Sequence, residues 1–163
     1  MRSQGRLRMG DFPVPEDEAR RIGGFLRPPD TECSIVDPCA GCGSALRTLS
    51  ASFPSRRYGV ELDAHRAEQA GGTLDQIIHG SAFDVHCPVE SFSLLYLNPP
   101  YDWECGEGQN ARMEGLFLEH CFRWLKVSGV VVLVIPAARL SSCAEVLAIH
   151  FRCSFRVCPI AGT

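Results

Sequence analysis

Short apolar runs alternate with amphipathic stretches along most of the 163 residues. CSIVD, RRYGVE, DQIIHG, SFSLLYL and VVVLVIP are five strand-sized runs. Between them lie stretches with helical spacing. GSALRTLSASF places Leu46, Leu49 and Phe53 on one face, and DAHRAEQAGGTL is polar and weakened by Gly71 and Gly72. ARMEGLFLEHCFRWLKVSG reads as one amphipathic helix with Leu116, Phe117, Cys121, Trp124 and Leu125 as its stripe and Gly129 after its end. SSCAEVLAIHF reads as a further helix capped by Ser141 or Ser142, and CSFRVCPI as a sixth strand. Upstream, FPVPEDEARRIGGFL has prolines, an acidic first turn and apolar Ile22, Phe25 and Leu26, which suits a helix broken by RPPD.

This alternation predicts an α/β domain, with a mostly parallel central sheet and helices on both faces. The unbroken VVVLVIP run suggests a strand covered on both sides. Residues 1–30 form a lead-in segment and helix, and residues 31–163 the ligand-binding domain, in a single domain overall. In such sheets ligands lie beyond the carboxyl ends of the strands. Those ends carry DPCAGCG, VELD, GSAFD and NPPY.

Composition narrows the picture only slightly. A hydrophobic content of 45% and a charged content of 21% are ordinary for a globular protein. No apolar run approaches the roughly 18 residues of a bilayer span, and no h-region follows the N-terminal arginines. Nine cysteines are many, but the number is odd. Cys33, Cys121, Cys143 and Cys153 sit in apolar segments as small hydrophobes, so a reducing, cytoplasmic compartment is expected. A net charge of −3 gives no clear footprint for a nucleic-acid duplex. Arg2, Arg6, Arg8, Arg20 and Arg21 offer a modest basic patch, and residues 102–111 form an acidic stretch.

The loop IVDPCAGCGSAL joins a strand to a helix, and Gly41 and Gly43 allow a tight turn and close ligand approach. The dinucleotide fingerprint needs a third glycine where Leu46 stands. An acid at the strand end, Asp37, would repel a pyrophosphate and suits a cationic ligand. Glu61 ends the next strand, about 20 residues on, where a carboxylate can accept from both hydroxyls of a ribose. Together they point to a nucleoside that carries positive charge, and S-adenosylmethionine meets both conditions. Cys39 and Cys42 have the spacing of a redox or half-zinc pair, but no second pair accompanies them and small-residue packing is the favoured reading. His79, His86, His120 and His150 show no ligand spacing, and His120 and His150 are expected at surface or boundary positions. No metal site is expected.

DPCAGCG, VELD and NPPY on successive strands resemble the class I S-adenosylmethionine-dependent methyltransferases. More narrowly they resemble the amino-methyltransferases marked by (D/N/S)-P-P-(Y/F/W), above all the N6-adenine-specific nucleic-acid enzymes. DPCAGCG with NPPYDWE also resembles an uncharacterised bacterial methyltransferase family of this type. The resemblance covers roughly residues 12–160 and implies a Rossmann-like methyltransferase fold whose C-terminal strand hairpin is incomplete here. It implies that Asp37, Pro38, Cys39, Ala40, Gly41 and Gly43 lie along the methionine moiety, that Glu61 holds the ribose, and that Leu62 lies against adenine. Ala82 and Phe83 would flank the adenine, and Ser81 stands where an acid usually reads its amine. Phe12 and Pro13 match the segment that touches the cofactor carboxylate, with Val14 where threonine is frequent.

For NPPY the resemblance implies the chemistry of a poorly nucleophilic aromatic amine. Asn98 and the Pro99 carbonyl would accept its two hydrogens, Pro99 and Pro100 would fix the turn, and Tyr101 would stack on the target base. Trp103 would extend that aromatic wall. Asn98 would also border the cofactor. The expected activity is methylation of a planar exocyclic amine, adenine N6 in DNA or RNA. The alternatives are a protein glutamine amide, guanine N2 in RNA, or a cofactor-binding module inactive without a partner or missing domain. A nucleic-acid substrate, a protein partner supplying target recognition, and no membrane are expected.

Overall fold

The computed structural model describes residues 13–100 and 112–152. Phe12, Tyr101, Trp103, Cys153, the acidic stretch 102–111, the sixth strand, and Arg2, Arg6 and Arg8 lie outside them. Five parallel strands form one sheet: β1 (Cys33–Asp37), β2 (Ser55–Glu61), β3 (Gln76–His79), β4 (Phe92–Leu97) and β5 (Leu125–Leu133). Their spatial order is β3-β2-β1-β4-β5. The order reverses between β1 and β4, so the crevice at their carboxyl ends is where this topology opens a ligand site.

Alternate residues of each strand face opposite layers. Ile35, Leu94 and Tyr96 face one core, with Ala19 of α1 (Glu16–Gly23), Leu46 and Leu49 of α2 (Ser44–Leu49) and Ala70 of α3 (Ala64–Gly71). Val36, Val60, Leu95 and Leu97 face the other, with Phe117, Leu118 and Cys121 of α4 (Met113–Cys121) and Leu147 of α5 (Ala144–His150). The lead-in helix is therefore part of the first core. Its last residue, Gly23, lies so near α2 that a Cβ would stand 2.4 Å from the Leu49 carbonyl oxygen. Gly59 is equally constrained inside β2, since a Cβ would meet Leu74 at 2.6 Å and Ala40 at 2.8 Å. Ala40 belongs to the loop after β1, so this glycine lets β2 approach that loop.

Several sequence expectations are corrected. The predicted helix through Leu125 ends at Cys121 and closes with a 3-10 turn, Phe122–Trp124. Leu125 pairs with Phe92, and Leu94 then pairs with Val130, so residues 126–129 of β5, four in all, stand opposite the single Ser93 of β4. Ser128 takes a left-handed conformation in that bulge, with φ 66°. Gly129 lies inside the strand rather than at a helix end, because pairing with β4 captures the segment. β5 packs against both cores, as its apolar run suggests, with Val132 on one side and Val131 and Leu133 on the other, while it forms an edge among the described residues and Val130 stays 46% exposed. Ser142 does not cap α5. Its hydroxyl donates to the Arg139 carbonyl at 2.7 Å within a 3-10 turn, Ala137–Cys143. Phe53 lies past the end of α2, yet packs in the same core. Leu116 is only half-buried, and Phe25 follows α1 with 42% of its surface exposed.

Candidate functional site

Each strand end adds one part of a common surface. β1 ends at Asp37, whose carboxylate is almost fully buried and accepts the Cys39 amide at 2.8 Å. Burial raises its pKa from the ordinary 3.8 to about 7, with the Cys39 amide opposing and the nearby Glu61 charge adding. The loop that follows spends its amides inside the protein. Ala40 N–H donates to the Val60 carbonyl at 2.9 Å, Gly41 N–H to Glu61 Oε2 at 2.8 Å, and Gly43 N–H to the Ala40 carbonyl at 2.8 Å. Gly41 and Gly43 have positive φ, 55° and 79°, the conformation that favours glycine. A phosphate-binding loop turns its N–H groups toward the anion. Here they are engaged, which argues against a pyrophosphate and in favour of a ligand met by the acid.

β2 ends at Glu61, also buried. Oε1 accepts the Asp63 amide at 2.8 Å and the Arg66 guanidinium at 2.8 Å, while Oε2 takes the Gly41 amide. One carboxylate thus ties the β1 loop to the start of α3, where Asp63 caps the helix by accepting Arg66 N–H at 3.0 Å. Sequence reading found Glu61 but neither its clasp on Gly41 nor Arg66. The partner Arg66 lies one turn along α3, at a spacing that becomes informative only once Asp63 is known to be the cap. Leu62, next along, is 70% exposed, an apolar side chain left open beside the crevice.

After β3 the chain forms a 3-10 turn, Ala82–Asp84, with Ser81 at its start accepting Phe83 N–H at 3.3 Å. Ala82 is buried and Phe83 is 36% exposed. β4 ends at Leu97, whose carbonyl accepts Val134 N–H at 2.9 Å and so fixes the backbone just before Asn98. Asn98 and Pro100 are half-buried and Pro99 is fully buried. Asp37, Glu61 and Asn98 thus stand at the ends of three adjacent strands, β2-β1-β4, while Ser81–Phe83 follows β3.

Other predicted residues sit differently. Pro13 is exposed, but Val14 turns into the first core and offers its side chain to no ligand. Pro38 is buried. Burial pushes the Cys39 thiol well up, opposite to a reactive thiolate, and Cys42 is exposed with its thiol 3.3 Å from the Ser44 hydroxyl. Arg20 and Arg21 do not make a free basic patch, because they pair with Glu16 and Glu18 along α1. Among the described residues, no helix is long and apolar enough to cross a membrane.

A buried acid next to a loop with engaged amides, and a second buried acid on the adjoining strand, fit a cofactor that is cationic and carries a ribose. Comparison with known proteins agrees. The chain is 34% identical over 94 residues to a 4-amino-L-phenylalanine/4-methylamino-L-phenylalanine methyltransferase of Streptomyces pristinaespiralis, a match over 54% of this chain and 32% of that protein. The chain thus spans only part of that relative. Its fold is similar to a class I S-adenosylmethionine-dependent methyltransferase of Listeria monocytogenes, with a TM-score of 0.68 at 18% identity over 82% of this chain and 50% of the other. It is equally similar to a type I restriction-modification methyltransferase subunit of Streptococcus thermophilus, with a TM-score of 0.68 at 21% identity over 86% of this chain and 39% of the other. Residues 2–152 match the model of an uncharacterised methyltransferase family (DUF6094), and the chain belongs to that family as an S-adenosylmethionine-dependent methyltransferase of Rossmann-like fold.

Proposed function

We propose that this methyltransferase acts on a planar exocyclic amine, and that the acceptor is adenine N6 in DNA or RNA. The observation that carries the reading is the placement of Asn98-Pro99-Pro100 directly after β4, beside the buried acids of β1 and β2, across the point where the strand order reverses. In this reading Asp37 faces the cationic methionine end of the cofactor, Glu61 the ribose, and Leu62 and Phe83 the adenine. Bound S-adenosylmethionine supplies a methyl group activated by a sulfonium.

The chain's own part is to orient the acceptor. The Asn98 side-chain oxygen and the Pro99 carbonyl accept the two amine hydrogens. That favours a tetrahedral nitrogen with its lone pair directed at the methyl. The buried Pro99 and the bond from Val134 to Leu97 hold these acceptors in place before substrate arrives, which is where preorganisation gains rate. No strong base is needed, because the nitrogen sheds its proton to solvent once it carries the methyl group.

A second reading keeps the chemistry and changes the molecule. The Streptomyces relative is named for an amino acid whose 4-amino nitrogen, like adenine N6, is exocyclic and conjugated with an aromatic ring. That name, together with a net charge of −3 and the ion pairs on Arg20 and Arg21, favours a small arylamine over an unassisted duplex. A protein partner that supplies the missing basic surface would reconcile the first reading with the same charge.

Labelled S-adenosylmethionine offered in parallel with DNA, RNA, a protein extract and 4-amino-L-phenylalanine tests both. Transfer to adenine N6 supports the first reading, and transfer to the free amino acid the second. Label in glutamine amides or guanine N2 overturns both. Cofactor binding with transfer to none of the four overturns the second reading and the unassisted form of the first, and leaves a module dependent on a partner.

A further inference from the structure

The 3-10 turn Ala82–Asp84 is a poor structure on its own. It is three residues long, and its internal bonds run from 3.0 Å (Asp84 N–H to the Ser81 carbonyl) to 3.3 Å (Phe83 N–H to Ser81 Oγ). It is also the segment proposed to flank the cofactor adenine, where a displaced ring would lose its stacking partner. Something outside the turn must hold it.

That hold comes from α4 and the turn after it. His120 Nε2 lies 3.0 Å from the Ala82 carbonyl oxygen. A carbonyl only accepts, so this ring nitrogen carries the hydrogen and donates. The same imidazole packs against Phe83, with centroids 5.2 Å apart, and against Trp124, at 5.7 Å. Phe117, one turn earlier on α4, backs Phe83 at 4.6 Å. Phe117 and His120, one turn apart on α4, present their rings to Phe83, and Trp124 backs His120. Phe83 is gripped from that side and keeps 36% of its surface open.

We propose that His120 is a positioning residue for the adenine half of the cofactor site, acting through the Ala82 carbonyl to hold Phe83 in its stacking position. The proposal rests on the placement of adenine at Ala82–Phe83. Without the donor, the turn samples other arrangements, and the binding-competent fraction scales the apparent affinity. His120 touches no reacting atom, so its effect falls on cofactor affinity.

Calorimetric titration of the full chain with S-adenosylmethionine and S-adenosylhomocysteine tests this. His120→Phe keeps an aromatic ring and removes the donor. It is expected to weaken both ligands about three- to tenfold, the value of one net hydrogen bond. His120→Gln returns a donor and is expected to recover most of that loss. His120→Met serves as a second donor-free variant if the phenylalanine overpacks. Phe83→Ala is the reference. The double variant Phe83→Ala/His120→Phe is expected to bind no worse than Phe83→Ala alone, because the histidine acts through that ring. Unchanged affinity in both donor-free variants, no rescue by glutamine, or additive losses in the double variant overturns the role of His120. Unchanged affinity in Phe83→Ala overturns instead the adenine placement beneath it.

Discussion

The two halves of the crevice are rigid for different reasons. On the β1-β2 side, rigidity is a web of hydrogen bonds to two buried carboxylates: Cys39 amide to Asp37, Gly41 amide, Asp63 amide and Arg66 guanidinium to Glu61. On the β4 side it is covalent and steric, with two prolines, one of them fully buried, and the Leu97 carbonyl tied to Val134. A web of bonds can be retuned by charge and pH, and suits a cationic ligand that enters and leaves. A proline turn responds to neither, and suits acceptors that must meet the nitrogen at one angle.

The largest test of this division is Asn98→Ala. Removing one preorganised acceptor is expected to lower kcat by about 10²–10³-fold, while cofactor affinity stays within about twofold. Rapid-quench transfer assays beside calorimetry check it, and a parallel collapse of cofactor binding would merge the two halves. Next comes Glu61→Gln. The new amide cannot accept from all of the Gly41, Asp63 and Arg66 donors, so about 1–3 kcal/mol of cofactor binding is expected to go, roughly 10- to 100-fold. Equilibrium dialysis reads that loss, and unaltered binding would show that the clasp does not shape the pocket.

Asp37 gives a smaller, pH-dependent effect. Its folded-state pKa of about 7 lies above the ordinary 3.8, so the folded protein retains a proton that the unfolded chain releases between those values. Stability of the ligand-free protein therefore falls as pH rises from about 4 to 7 and then levels off. A cationic cofactor prefers the ionised acid, so affinity should rise about tenfold per unit below pH 7 and flatten above it. Asp37→Asn should remove both slopes. Denaturant melts and titrations from pH 5.5 to 8.5 check this, and a flat wild-type profile would detach Asp37 from the cofactor. Smallest is Arg66→Met. Its ion pair with Glu61 is 26% exposed on the arginine side, and its loss should cost about 1 kcal/mol or less by chemical denaturation. A loss several times larger would mean that the clasp depends on Arg66 more than on the backbone amides.

Much of this was legible in the sequence because strand ends announce themselves. CSIVD and RRYGVE finish in acids and SFSLLYL is followed by Asn98 and two prolines, and all three strands end where those residues predict. The strand-end positions of Asp37, Glu61 and Asn98 were visible for the same reason. What escaped depends on partners distant in the chain. Leu125 has helical spacing from Cys121, and only its pairing with Phe92 reveals a strand. The fold around Ser142 is set by a carbonyl three residues back, which competes with its use as a cap. His120 looked like a boundary residue, and its bond to Ala82 spans 38 positions. Arg20 and Arg21 looked basic until Glu16 and Glu18, spaced for pairing along α1, were seen beside them.

The bulge in β5 changes what that strand can offer to another strand. An edge strand with open N–H and C=O groups invites another strand to add to it. Residues 126–128 are exposed, Val127 to 81%, so a regular edge strand there, among the described residues, would be an adhesive rim. Instead the register slips between Phe92 and Leu94, Ser128 turns left-handed, and Lys126 adds a charge. Among the described residues, those irregularities break the regular ladder that a strand adding to the first half of β5 would need.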